Sequence, residues 1–428
     1  MKSATLSLSL SILTLAALAP GALANWPQFR GPTQNGQVPE SQEPLPVAWS
    51  EERNVTWKTA IHGKAWSTPA VWGGRVWLST ATEDGKRMSA VCVDAATGEI
   101  LHDKVVFENE SVEPLGNPVN SYGSPSPAID ADHVYIHFGS YGTACLRRES
   151  GELVWQRRDL PCRHFRGPGS SVALYRDLVI LTMDGVDVQY LVALDRATGE
   201  TRWKTDRSTD FQDLDADGKP TAEGDLRKAY ATPMVQRLGE RDVLISSGAK
   251  SAFGYDAATG RELWWVTYAG FSNAASPVFA RGAAIFNTGY SKAHLIAVDV
   301  DAGARGDLTG KIKWDILKRV PLRSSPVTSG DHLFMVTDNG VASCVSIADG
   351  ELVWDQRLDG QFSGSPIIDH GRVYFCSEDG RTHVVEAKPE FKRLATNTLD
   401  EGMFASPAAS DGALFLRTIG HLYRIDSD

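Results

Sequence analysis

Apolar and polar residues alternate with a period of two over short stretches along the chain, and Gly, Asp or Asn bounds each stretch. GRVWLST (Gly74 to Thr80), MSAVCVD (Met88 to Asp94) and EILH (Glu99 to His102) form one group. DHLFMVTD, VASCVSI and ELVWDQ, between Asp331 and Gln356, form another. A period of two puts successive side chains on opposite faces of a strand, and the bounding residues are those of tight turns. No stretch shows the period of an amphipathic helix. The pattern predicts antiparallel strands joined in hairpins.

The groups recur. Each opens on a short phrase, usually a small hydroxyl residue followed by proline: STPAVW from Ser67, SPSPAI from Ser124, GSSVAL with Ser170 and Val172 in place of proline, ATPMVQ from Ala231, ASPVFA from Ala275, SSPVTS from Ser324, GSPIID from Gly364 and ASPAAS from Ala405. The eight phrases lie roughly 40–60 residues apart, the period range of propellers and solenoids. Most groups close on a glycine followed four residues later by a ring: Gly98/His102, Gly151/Trp155, Gly199/Trp203, Gly260/Trp264, Gly310/Trp314 and Gly350/Trp354. Glycine suits the positive φ of a bulged hairpin. A ring on the outermost strand covers the gap to a neighbouring blade. The fold expected is all-β: an eight-bladed β-propeller of four-stranded antiparallel blades. The last unit lacks its outer strand, and NVTWKTAI, with Trp57, is expected to supply it from the other end of the chain and so remove an open edge. The seventh unit, with EAKPEFKRL, is expected to have an outer strand without the ring.

Composition narrows the class. The formal charge of −10 on 428 residues excludes the basic footprint of a nucleic-acid binder. Residues 1–24 read as a signal peptide: Lys2, the apolar run Leu6 to Leu18, then Ala22-Leu23-Ala24 as cleavage site. Residues 25–53 read as an N-terminal extension anchored by Trp26 and Phe29, and 54–428 as the propeller. No later run is long enough to span a membrane. The expectation is a periplasmic or secreted monomer. Five separated cysteines (Cys92, Cys145, Cys162, Cys344, Cys376) read as small buried hydrophobes, neither a disulfide scaffold nor a zinc site.

The full form of the refrain, A-x-D-x-x-T-G-x-x-x-W from Ala193 to Trp203, resembles the tryptophan-docking motif of the pyrroloquinoline-quinone-type (PQQ) repeat. Eight such repeats resemble the quinoprotein dehydrogenase propeller and the propeller scaffold of the outer-membrane β-barrel assembly machinery. NWPQFRGP, GPGSS, DVQYLVALD, DLRKAYATP, SDGALFLR and HLYRID resemble exported PQQ-binding-like repeat proteins, across nearly all of the mature chain. For a dehydrogenase the resemblance implies adjacent cysteines in a disulfide ring, a Glu/Asn set for calcium and an Asp base. This chain has no adjacent cysteines, and the cofactor expectation is no PQQ.

The segments entering the inner strands (HGKAW, NSYG, CRHFRG, DLRKAY, FSNA, VPLRS, GQFSG, GMFAS) should line one mouth of the central channel. His62, Lys64, Arg163, His164, Arg166, Arg227, Lys228, Arg319 and Arg323 lie there, interleaved with Trp66, Tyr122, Phe165, Tyr230, Phe271 and Phe362. Lys64, Trp66, Tyr122, His164, Arg166, Lys228, Tyr230 and Arg323 form the candidate site, a basic, aromatic funnel for an anionic or glycan-like ligand. The same residues read equally as solvated loop charges. The function expected is a binding or scaffold module for a protein or carbohydrate. The alternatives are a PQQ-dependent oxidoreductase, or a hydrolase or lyase with His164 and Tyr230 as acid and base and Arg166 holding a carboxylate. Asp213, Asp215, Asp217 and Gly218 have calcium-loop spacing, with Gly224 where the closing Glu belongs. Arg305-Gly306-Asp307 lies in an extended hairpin loop and is expected to have no adhesion role.

Overall fold

The computed structural model describes residues 25–290 and 292–427, so the expected signal peptide lies outside the described residues. Eight sheets, antiparallel but for one added parallel strand, form the blades, and inner strands of neighbouring blades contact one another around a central channel. The inner strands of blades 1 to 8 are Ala70–Trp72, Ala128–Ile129, Ala173–Tyr175, Met234–Leu238, Val278–Ala280, Val327–Ser329, Ile367–Asp369 and Ala408–Ser410. Seven blades have four strands; blade 4 has five. Blade 8 joins the two ends of the described chain: Val55–Ala60 pairs antiparallel with His421–Ile425, with Trp57 opposite Arg424. Blade 7 has the outer strand Arg393–Thr398 without a ring.

The refrain works between units rather than within one. The ring of one blade rests on the turn glycine of the next: Trp57 on Gly98, His102 on Gly151, Trp155 on Gly199, Trp203 on Gly260 and Trp314 on Gly350. A Cβ on Gly199 (φ +74°) would come within 2.7 Å of the Trp155 ring, so the turn admits neither another side chain nor, easily, another residue's backbone. Four indoles also donate their N–H to a carbonyl of the following blade: Trp57 to Ala95 (3.0 Å), Trp155 to Arg196 (2.9 Å), Trp314 to Ile347 (2.9 Å) and Trp354 to Lys388 (2.9 Å). His102 keeps this bond with Nε2 2.7 Å from the Glu149 carbonyl oxygen. Gly310 departs from the pattern: a Cβ there would meet nothing within 4 Å. Blade 5 has instead enlarged this hairpin, which folds over the outer strand of blade 4.

The hydroxyl residues before proline, and Ser171 before Val172, form a belt in two arcs around the channel. In each bond the backbone N–H of one blade donates to the hydroxyl oxygen of the next. One arc runs Thr68 to Ser126, Ser171 and Thr232; the other runs Ser276 to Ser325, Ser365 and Ser406; the bonds are 2.8–3.0 Å. Proline downstream has no N–H to satisfy, and the hydroxyl supplies the acceptor that a buried amide requires.

The segment from Asn25 to Val38 closes the opposite end of the channel. Trp26 exchanges backbone hydrogen bonds with Val71 in blade 1, and the Pro27 carbonyl accepts from Ile129 in blade 2. Gln28 Oε1 accepts from Leu174 in blade 3 and Gln34 Oε1 from Val235 in blade 4. The buried Arg30 guanidinium donates to the Pro326 and Asn35 carbonyls. Burial lowers its pKa to about 9. Gly36 and Val38 bond to Ile368 in blade 7. The chain then crosses blade 7, through Leu45 on Asp369 and Trp49 on Asn397, to reach the rim where Val55–Ala60 begins. These contacts supply partners for inner-strand groups that no neighbouring strand reaches.

Two stability measurements follow. Gly199→Ala is expected to cost roughly 2–4 kcal/mol through backbone strain and the clash with Trp155, against about 1 kcal/mol for Gly282→Ala. Gly282 has a similar φ (+77°) and nothing within 4 Å of its Cβ position, so chemical denaturation of the pair isolates the ring contact. His137 is buried against Thr143 and burial lowers its pKa to about 3. It is neutral in the fold and protonates more readily when unfolded. Its contribution is therefore complete above about pH 6.5 and is lost as the pH falls from there towards 3, by up to about 1.4 kcal/mol per unit. His137→Gln should flatten that acid limb in a pH series of melting temperatures.

Candidate functional site at the loop end of the channel

Strand direction sorts the connections into two ends. Blade-to-blade linkers and the hairpins between second and third strands gather at one end, and the N-terminal segment closes the other. At the loop end lies a cavity of about 790 Å³, with Phe29 of the N-terminal segment among the residues that line it. Aromatic rings form much of its wall: Trp66, Tyr230, Phe271, Tyr290 and Phe404. Trp66 and Phe404, from the entries to blades 1 and 8, stack with centroids 4.5 Å apart. Hydroxyls of the belt (Thr68, Ser126, Ser171, Thr232, Ser365 and Ser406) and the amides of Asn117 and Asn120 add polar groups.

Five of the eight candidate residues line this cavity: Trp66, Arg166, Lys228, Tyr230 and Arg323. Three do not. Lys64 lies beside the Trp66 ring, its Nζ 5.8 Å from the centroid. Tyr122 is buried under the Gly85 turn and donates its hydroxyl to the Glu113 carbonyl at 2.9 Å. His164 is buried, its Nε2 accepts the Ser140 N–H at 3.2 Å, and burial lowers its pKa to about 4. The Tyr230 hydroxyl is itself turned to the His164 carbonyl (3.3 Å), and burial raises the phenol's pKa far above its ordinary value. The acid and base expected of a hydrolase therefore do not face a common ligand space.

The expected basic character is also corrected. Lys228, sandwiched between Phe165 and Phe271 at 5.5 and 5.6 Å, is ion-paired to Asp225, and burial lowers its pKa. Arg323 binds Asp338 at 2.6 Å and Glu378 at 3.4 Å. Outside the wall, His62 pairs with Asp103, Arg163 with Glu113, Arg227 with Asp213 and Arg319 with Asp355. Arg166 differs: its Nη1 donates to the Gly116 carbonyl at 2.7 Å and its guanidinium covers Phe165 at 5.0 Å. No carboxylate lies within ion-pair distance of Arg166 among the described residues. The funnel is thus aromatic and largely charge-balanced, with one cation uncommitted. Asp338 escapes a reading of the sequence because it sits in the turn TDNG, which has the look of hairpin chemistry. Asp225 lies inside the segment DLRKAY, where the cations dominate the pattern.

The acidic loop does not bring its three carboxylates together. Asp213 takes up Arg227 (Oδ2 to Nε, 3.0 Å), while Asp215 accepts the N–H groups of Asp217 and Lys219 at 2.9 Å each. Among the described residues no three His, Cys, Asp or Glu side chains form a metal-sized group. All five cysteines are buried and unpaired, and none lines the cavity. This donor set does not fit the quinone and calcium arrangement that the repeat resemblance implies.

Comparison with known proteins agrees with the architecture. The family model described as outer membrane protein assembly factor BamB matches residues 37–161, 187–314 and 304–389. The BamB assembly factor of Moranella endobia (strain PCIT) is 22% identical over 206 residues, 44% of this chain and 50% of that protein, so the match spans about half the relative's length. The crystal structure of BamB from Moraxella catarrhalis superposes with a TM-score of 0.57 at 12% identity, covering 87% of this chain and 99% of that one. A europium-containing methanol dehydrogenase gives 0.64 at 11% identity, covering 93% and 90%. At such identities the two structures share the fold alone. With the matched segments running through most of the propeller, the chain belongs to the family of the outer membrane protein assembly factor BamB.

Proposed function

We propose that the protein is an exported scaffold that holds a partner polypeptide over its loop end, with part of that partner seated in the axial cavity. The observation that carries this reading is the cavity itself: aromatic-walled, lined by Phe29 from the segment that closes the far end, and balanced in charge except at Arg166. Such a site gives a large apolar contact area and one directional anchor for an anionic group. Exposed apolar side chains surround it on the same end, with Val119 and Leu317 in linkers, Tyr290 and Ile419 in hairpins, and Leu214 in the long blade 3 to blade 4 connection. Exposed apolar groups beside an aromatic cavity favour an interaction face there. Among the described residues no helix is long and apolar enough to cross a membrane. The name of the related assembly factors supports a protein as partner. The inward turn of His164 and of the Tyr230 hydroxyl, and the pairing of the wall's Asp225 and Asp338 with Lys228 and Arg323, favour binding over catalysis.

A photo-crosslinking residue placed at Tyr290 should yield one discrete protein adduct in the native host. Arg166→Ala should reduce that adduct at least tenfold without lowering the melting temperature by more than about 1–2 °C, since the cation makes no ion pair to lose. Arg323→Ala should instead lower stability, because it leaves Asp338 Oδ2 without its cation. An adduct indifferent to Arg166, or dye reduction by the purified protein supplied with PQQ and calcium, would replace the scaffold reading.

A further inference from the structure

Blade 4 shows how an outer strand of this wheel is covered. Its outermost strand, Glu262–Thr267, pairs in parallel with Gly306–Asp307 from the enlarged blade 5 hairpin, Trp264 opposite Gly306 and Trp265 opposite Asp307. The Leu308 N–H donates to the Trp265 carbonyl at 2.8 Å, and Thr309 Oγ1 accepts from Thr267 at 2.9 Å. Val300, Ala304 and Leu308 pack with Leu263 and Trp264 in one buried cluster. The tripeptide Arg305-Gly306-Asp307 is thus part of a strand-pairing segment.

Blades 2 and 6 present the same edge uncovered. The pentapeptide GELVW occurs in both, at 151–155 and 350–354. Val154 and Val353 precede the ring by one residue, as Leu263 does in blade 4. Leu263 is 5% exposed, whereas Val154 is 37% and Val353 38%. Leu153 and Leu352 beside them are 53% and 46% exposed. Among the described residues no strand pairs with the outer edge of Leu153–Arg157 or of Leu352–Arg357. Blades 3 and 5 carry Arg202 and Lys313 at the position of these valines, and a charge there blunts an edge against further pairing. Blade 1 has Ile100 and Leu101 at these positions, but Leu101 packs against a core cluster; blades 2 and 6 therefore combine unpaired backbone groups with a more exposed valine and lack the protecting charge.

We propose that the outer edges of blades 2 and 6 are docking sites for an extended segment of a partner polypeptide, which adds as a parallel fifth strand and lays an apolar side chain over Val154 or Val353. Backbone bonds supply the attachment, and the apolar pair sets the register. The occupant is an extended chain of alternating apolar and polar residues, the chemistry that blade 4 uses on itself. This deepens the scaffold reading, from which it takes only the existence of a polypeptide partner; the edges lie on the rim, away from the cavity.

The test uses the purified protein with a photo-crosslinking residue at Leu352 and, separately, at Leu153. The probes are a biotinylated ten-residue peptide of alternating Val and Thr and the same peptide with a central Pro. The alternating peptide should be captured at least tenfold better than the proline peptide. Capture should fall at least fivefold with Val353→Lys or Val154→Lys on the probed blade, and a crosslinker at Arg202 should capture neither. Arg166→Ala should leave edge capture unchanged, so that loss of the cavity reading and loss of this one are separable. Equal capture of both peptides, no capture of either, or chain-to-chain adducts that grow with protein concentration would overturn the proposal. Val353→Thr, which keeps the branched side chain and removes apolar surface, guards against misreading a folding defect.

Discussion

The hydrogen bonds between Val55–Ala60 and His421–Ile425 close the wheel, and the other contacts depend on that closure. An open ring of eight blades would leave two sheet edges and one ring, Trp57, without its glycine. Once closed, most neighbouring blades are joined by one or both of two devices: a ring resting on the next turn glycine near the rim, and a hydroxyl accepting the previous blade's N–H near the axis. The geometry of the mouth follows, because the segments that form the cavity wall are those that lead into the belt.

Charge is arranged to be satisfied locally. A lysine sandwiched between two phenyl rings and an arginine at the cavity wall each have an acid at hand, so the wall has little net field to draw a ligand from afar. In the proposed scaffold, recognition at such a mouth would rest on shape and aromatic area, with Arg166 as orienting contact. The contrast with a quinone enzyme is one of donor groups: the carboxylates in the wall are already engaged, and the cysteines are buried in the blades.

Repetition makes the architecture legible. Eight phrases and a recurring glycine are enough to count the blades and to find the missing strand at Trp57, because a repeated unit must meet its own copy in the same way each time. Contacts made once, outside the repeated phrases, leave no such trace. Asp338 reaches Arg323 from a hairpin of the same blade, and Glu378 from the next, while the arginine alone is visible in the approach to the strand. Position in their linkers puts Tyr122 and His164 at the mouth, yet both linkers turn those rings inward to satisfy backbone groups. The blade 5 hairpin breaks the refrain at Gly310, and only the fold shows that the extra residues cover Trp264.

The segment from Asn25 to Val38 touches blades 1, 2, 3, 4, 6 and 7. It is synthesised first, yet the strands that hold it are not all available until the chain is nearly finished. An early-made stretch thus completes its contacts only with late-made strands, so its last bonds to blades 6 and 7 form near the end of assembly.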